Sequence, residues 1–154
     1  IPLVKVASWF HLSNSIPGII LCYLGFGVSM TMFLYRGFIR SIPVSIEESA
    51  VMDGCGPYSL FWRIVFPLLA PMNVTVIVLN TFWMWNDFLL ANIMLQRKEL
   101  RTIQIAINSL FAEYIKEWDL ALAALVMSVL PLLIFFLFLQ RYIIEGIIQG
   151  AIKG

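Results

Sequence analysis

Histidine, cysteine and net charge are what this chain has least of. His11 is the single histidine and has no evident partner, so it gives no basis for a metal site or acid–base catalysis. Cys22 and Cys55 lie far apart in different kinds of segment, which points to neither a disulfide framework nor a zinc site. Cys22 reads as a small apolar wall residue and Cys55 as a free thiol in a loop. Only 12% of residues are charged and the net charge is +1, without the clustered basic face that a nucleic-acid partner requires. No G-x-x-x-x-G-K-[ST] run is present, so no P-loop for ATP is expected here. G-x-S-x-G and H-E-x-x-H are missing too, as is any internal repeat. The chain opens Ile1-Pro2 without Met or the basic, apolar and small-residue order of a signal peptide, and reads as cut from a longer protein.

What is abundant is apolar surface. Hydrophobic residues make up 61% of the chain and mean hydropathy is +0.91, against roughly half apolar in soluble domains. A membrane span needs about 20 mostly apolar residues, and three runs qualify. The first, Ile16 to Tyr35, follows Ser13-Asn14-Ser15 and stops at Arg36 and Arg40. Pro17 falls in its first turn, where a missing N–H costs little, and Gly18, Gly25 and Gly27 would admit neighbouring helices. The second run begins at Ile64, but Pro67 and Pro71 break its front, leaving Met72 to Leu95 as the span. The third, Leu120 to Leu139, holds Pro131, which implies a kink and a carbonyl met by a neighbouring helix. Gln140-Arg141-Tyr142 mark its exit. The expected fold is an all-α integral membrane helical bundle with three transmembrane helices.

Between the spans lie a first loop, Arg36 to Arg63, and a second, Gln96 to Asp119. A tail follows, Ile143 to Gly154, with glycines at 146, 150 and 154. In the second loop Ile103, Ile107, Leu110 and Phe111 fit a short amphipathic helix at the interface. The positive-inside rule does not orient the chain: Arg36, Arg40, Arg63, Arg141 and Lys153 on one side balance Lys5, Arg97, Lys98, Arg101 and Lys116 on the other. Trp83, Trp85, Trp118 and Tyr114 read as interfacial anchors, and Met30, Met32, Met84 and Met94 as packing residues.

The first loop is the polar anomaly. Glu47, Glu48, Asp53, Gly54, Gly56 and Pro57 together are not expected within lipid, where every backbone polar group needs a partner. Ser45 and Glu48 have capping-box spacing, which predicts a helix over Ile46 to Met52 ended by Asp53-Gly54. Gly54 suits the left-handed C-terminal cap, and Gly56-Pro57 opens a second helix leading to Pro67. The expected shape is a helix–turn–helix across the membrane surface; an ordinary interfacial re-entry between spans fits the same signals.

Glu48-x-Ala50, Gly54, Ile64 and Pro67, with Asp53 alongside, resemble the EAA loop of binding-protein-dependent ABC transporter permeases. Ser49 stands where Ala is usual and Phe66 where Leu is usual. Trp85-Asn86-Asp87-Phe88, Gln140-Arg141 to Gly146 and the ending Gly150-Ala151-Ile152-Lys153-Gly154 are similar to the sugar-transporting, maltose-type branch of that family. The resemblance covers nearly the whole chain. It implies a multi-pass subunit of a bacterial or archaeal inner membrane, partnered by a P-loop ATPase dimer, a second permease subunit and an extracytoplasmic binding protein.

The same resemblance implies that residues 43–63 form a cytoplasmic coupling loop docked on the ATPase. Residues 96–119 would then be extracytoplasmic and 143–154 a cytoplasmic tail. Within the docking turn Glu48 would make polar contacts, Ala50 would permit close approach, Val51 and Met52 would offer apolar area, and Ser49, Asp53, Gly54, Ile64 and Pro67 complete it. ATP and Mg would sit on the partner, with no cofactor, metal or catalytic group in this chain.

Asp87 is an acid inside an apolar run with Asn80, Asn86 and Asn92 near it. Asn80, Trp83, Asn86 and Asp87 are candidates to line the translocation path for a carbohydrate. The opposing reading of Asp87, as a packing or loop-anchoring group, is favoured by its place about 12 Å from the span's end. An ion-coupled secondary transporter or channel is the alternative function, carried only by Asp87 and Pro131.

Overall fold

The computed structural model describes residues 2–113 and 118–151, with side chains at all of these except 112–113 and 141–151. Tyr114, Lys116, Glu117, Ile152, Lys153 and Gly154, and the tail side chains from Arg141 onward, lie outside the described residues. Every regular element among the described residues is helical, in keeping with the all-α expectation. Among the described residues two helices are long and apolar enough to cross a membrane, α2 (Ile16–Ile39) and the Trp118–Gln140 part of α9 (Trp118–Ala151). A bent pair, Pro57–Leu68 and Ala70–Asn86, meets the same criterion with a 68° bend. Only 11% of the α2 window and 6% of the α9 window is buried, so most of their apolar surface is left for lipid or further protein.

The fold divides into two compact units. The first, residues 1–27 with 80–137, has a small core in which α1 (Pro2–Trp9), the start of α2, α7 (Leu89–Met94) and α8 (Ile103–Glu113) meet. Ala7, Ile19, Ala91, Met94, Leu95 and Ile105 are its buried members, flanked by Leu12, Cys22 and Phe88. Cys22 is thus the apolar wall residue expected. Helix α8 forms where amphipathic spacing placed it, and Ile105 and Ile107 are its buried residues. Ser15 caps α2: its Oγ accepts the Gly18 N–H at 3.2 Å and donates to the Leu12 carbonyl at 2.8 Å. Asn14, with φ 55°, accepts the N–H groups of Gln96 and Arg97 on Oδ1, each at 3.0 Å, and its own N–H donates to the Met94 carbonyl at 3.0 Å. The entry to α2 is thereby tied to the exit of α7.

Within the expected span Met72 to Leu95 the helix is interrupted. Helix α6 (Ala70–Asn86) ends at Asn86 and α7 starts at Leu89. The break forms because Asp87 turns its carboxylate onto the next helix's first free N–H groups, a local alternative to continuing α6. The candidate span within α9 is Trp118–Gln140, and the helix backbone itself runs on to Ala151. Pro131 leaves the Met127 carbonyl without its helical donor, and the neighbouring helix reaches the next carbonyl, Trp85 Nε1 donating to Ser128 O at 3.2 Å. Trp85 thus packs α6 against α9. Phe82 joins it through an edge-on contact with Phe136, centroids 6.2 Å apart.

In α2, Gly18 and Gly27 sit at close approaches, whereas Gly25 and Gly37 have open space around them. A Cβ on Gly18 would overlap the Leu12 carbonyl, and one on Gly27 would come 3.0 Å from Asn80 Oδ1. Met94 is 2% exposed, whereas Met30 and Met32 are 52% and 66% exposed, so these two present apolar surface rather than pack within this chain.

In the second unit, residues 28–79 with 138–154, the later half of α2 meets the start of α6 through the Tyr35 hydroxyl, which donates to Asn73 Oδ1 at 2.6 Å. Between them lie α3 (Val44–Met52), α4 (Pro57–Leu60), a π-turn (Phe61–Val65) and α5 (Phe66–Leu68).

Candidate functional site

The elbow between α3 and α4 is built by backbone hydrogen bonds. Helix α3 starts at Val44 with Pro43 as its N-cap and has no side-chain cap bond. The expected Ser45–Glu48 capping box is therefore absent. Pro43 holds extended backbone (φ −62°, ψ 129°), and a proline preceding the first turn needs no donor. Ser45 becomes a helical residue whose carbonyl accepts the Ser49 Oγ–H at 2.7 Å. Glu48 is exposed.

The C-terminal end follows the expectation closely. Asp53 is the cap residue and Gly54 adopts φ 81°. Gly54 N–H donates to the Val51 carbonyl and Cys55 N–H to the Ala50 carbonyl, both at 3.0 Å. These two bonds are the paired closure of a Schellman motif, whose left-handed position is costly for any residue with a Cβ. Gly56 then caps α4 with Pro57 in its first turn.

The elbow sorts its side chains. Ala50 is 5% exposed, so its small size serves the loop's own packing. Val51 and Met52 are 57% and 87% exposed and Tyr58 84%, an apolar tip held out by a rigid turn. Ile64 lies half-buried in the π-turn and Pro67 is exposed in the first turn of α5.

A second site lies in the first unit. Asn80, Trp83 and Asp87 recur at three- and four-residue intervals, one face of a helix, and that face meets α2. Tyr23 donates to Asp87 Oδ2 at 2.9 Å, and the Tyr23 and Trp83 rings meet edge-on at 5.7 Å. Asp87 accepts the Leu90 N–H on Oδ1 at 3.3 Å and the Ala91 N–H on Oδ2 at 3.0 Å. The carboxylate thus holds the first N–H groups of α7 from the position before its N-cap residue, Phe88.

Trp83, Asn86 and Asp87 also border an open cavity of about 610 Å³, completed by Phe82, Phe88 and Leu89. The structure so brings together three of the four path candidates. Asn80 does not border that cavity; it abuts Gly27 one turn away. Tyr23, which sequence reasoning missed, is the polar partner of the site, and a lone tyrosine in an apolar run gave no spacing signal to find it. Among the described residues no group of three His, Cys, Asp or Glu side chains converges as a metal site.

Residues 1–149 match the family described as binding-protein-dependent transport system inner membrane component. The chain is 41% identical over 154 residues to the Probable starch degradation products transport system permease protein AmyC of Thermoanaerobacterium thermosulfurigenes, covering 99% of this chain and 56% of that protein. It is 36% identical to the arabinooligosaccharides transport system permease protein AraQ of Bacillus subtilis, over 100% of this chain and 54% of that protein. It is 41% identical over 126 residues to the melibiose/raffinose/stachyose import permease protein MelC of Bacillus subtilis, over 81% of this chain and 46% of that protein. The chain thus spans about half the length of the curated relatives it matches.

Proposed function

The chain belongs to the family of inner membrane components of binding-protein-dependent transport systems, and from that membership we propose that it is part of a permease subunit of an ATP-driven importer of carbohydrate. In this reading the chain contributes to the translocation path and passes the work of a separate ATPase to the membrane helices. A carbohydrate is favoured because the names of the similar proteins are those of oligosaccharide permeases.

The observation that carries the coupling role is the exposed apolar tip of α3 on a Schellman turn. Val51 and Met52 protrude while Ala50 is held inside and Gly54 fixes the exit. A solvent-facing methionine beside a rigid turn is suited to a hydrophobic groove on a partner, and in an importer that partner is the cytoplasmic P-loop ATPase. The elbow would then be cytoplasmic and α8 extracytoplasmic, towards the binding protein. ATP and Mg would be held by the ATPase, and a second permease subunit would complete the path.

The Trp83–Asn86–Asp87 cavity supports a path-lining role for its open side, with Asp87 acting mainly through the α7 cap. Retention of a P-loop ATPase on this chain during purification, lost in a Met52→Asp variant that still inserts in the membrane, is the test. An ion-coupled transporter would purify without that ATPase.

A further inference from the structure

We propose that Phe61, Trp62 and Phe66, together with Arg63, form a binding surface for phospholipid headgroups at the membrane face beside the elbow. The proposal goes beyond the importer reading and rests on the π-turn. Pro67 has no N–H to bond the Arg63 carbonyl, and in an α-helix its ring would press on that oxygen. The chain meets this with a π-turn over Phe61–Val65. In an α-helix residues five apart point about 140° from each other; here the Phe61 and Phe66 rings come within 6.1 Å. Trp62 meets both, at 5.1 Å from Phe61 and 5.1 Å from Phe66. The turn thus gathers three rings into one cluster, and the cluster is not buried: the three are 43%, 60% and 42% exposed.

Two further observations say what covers it. The Pro57–Leu68 segment is bent 68° from Ala70–Asn86, the other half of the candidate span. With Ala70–Asn86 crossing the bilayer, the segment bearing the rings lies close to the membrane plane, at the depth where indole and phenyl rings concentrate. Among the described side chains of the same unit the charges are segregated along the chain. Arg36, Arg40 and Arg63 flank the apolar helices, while Glu47, Glu48 and Asp53 belong to α3 and its cap. Guanidinium groups beside a span suit phosphate, which they bind through paired hydrogen bonds. The acids among these described side chains belong to the elbow, away from anionic headgroups.

The test uses the assembled transporter, ATPase included, in liposomes containing phosphatidylglycerol. Emission lost in Trp62→Phe isolates the Trp62 signal while keeping a ring in the cluster. Lipids brominated near the headgroup are expected to quench that signal at least about twofold more than lipids brominated near the chain end. Equal or deeper quenching, or none by either lipid because protein covers the ring, overturns the proposal. Arg63→Gln is expected to lower the enrichment of spin-labelled phosphatidylglycerol around the protein by about twofold; unchanged enrichment overturns the headgroup assignment. Neither measurement depends on transport, so failure here leaves the importer reading standing.

Discussion

Tyr23 of α2 and Asp87, in the break between α6 and α7, are joined by a 2.9 Å hydrogen bond, and the accepting carboxylate is the one that holds the first N–H groups of α7. One side chain therefore holds both the position of α2 and the break between α6 and α7. Asp87→Ala is expected to lower stability by about 1–2 kcal/mol through loss of the cap, and Tyr23→Phe by about 1 kcal/mol. The double variant should fall short of the sum, because both act through one carboxylate. Thermal unfolding of the purified protein reads this; strictly additive losses contradict the shared role.

Asp87→Asn separates the anchor from the path. The amide keeps one acceptor for the α7 N–H groups. Uptake of the preferred solute is expected to fall without a change in preference among related sugars. A changed preference would move Asp87 from the cap to direct contact with the transported solute.

Gly54 carries the elbow through its φ of 81°. Gly54→Ala should cost about 1 kcal/mol at the turn and weaken uptake. Gly54→Pro removes the N–H that bonds Val51 as well, and should abolish uptake with ATP hydrolysis by the partner continuing. Glu48→Lys should do the same through the exposed face of α3. Uptake at the wild-type rate in both Gly54→Pro and Glu48→Lys, at equal expression, would sink the coupling role.

The limits of what sequence reveals follow from which interactions are local. The Gly54 turn, the Pro57 start and the onset of α2 at Ile16 are set by residues a few positions apart, and all were legible. The Ser45–Glu48 box failed because two local starts compete for one helix, and Pro43 takes the cap position first. The break at Asp87 was visible as an anomaly but not as a cap, since an acid in an apolar run signals cost rather than direction. Tyr23, Trp85 and Asn14 were illegible in these roles because each acts on a backbone or side chain more than forty residues away. Apolar composition could not separate Gly27, which faces Asn80, from Gly25, which faces open space.

Gly27 provides a graded test of that packing. Its added Cβ would sit 3.0 Å from Asn80 Oδ1, so Gly27→Ala requires a shift of a few tenths of an ångström and should cost about 1 kcal/mol. Gly27→Leu should separate the helices and cut the yield of folded protein sharply, while Gly25→Leu should be tolerated. Size-exclusion recovery in detergent checks the pair; equal recoveries would contradict the close approach.

Asn14 should act as a clamp on the α7 exit. Asn14→Ala loses the acceptor for two N–H groups and strains a left-handed residue, for an expected cost of about 2 kcal/mol. Asn14→Gly relieves the strain and still lacks the acceptor. Both variants should speed amide hydrogen exchange at Gln96 and Arg97; protection equal to wild type would show that the clamp does not hold in solution.

Met52 offers the sharpest reading of the coupling proposal, because it is the most exposed large apolar side chain of α3. With Cys22 and Cys55 replaced by serine, Met52→Cys is placed in the assembled transporter and treated with a short thiol cross-linker. A cross-link to the ATP-binding subunit, together with protection of Met52→Cys from soluble thiol reagents whenever that subunit is bound, is the expected result. No cross-link in a complex that retains its ATPase, or labelling from the extracytoplasmic side, would contradict the assignment of this elbow as the coupling element.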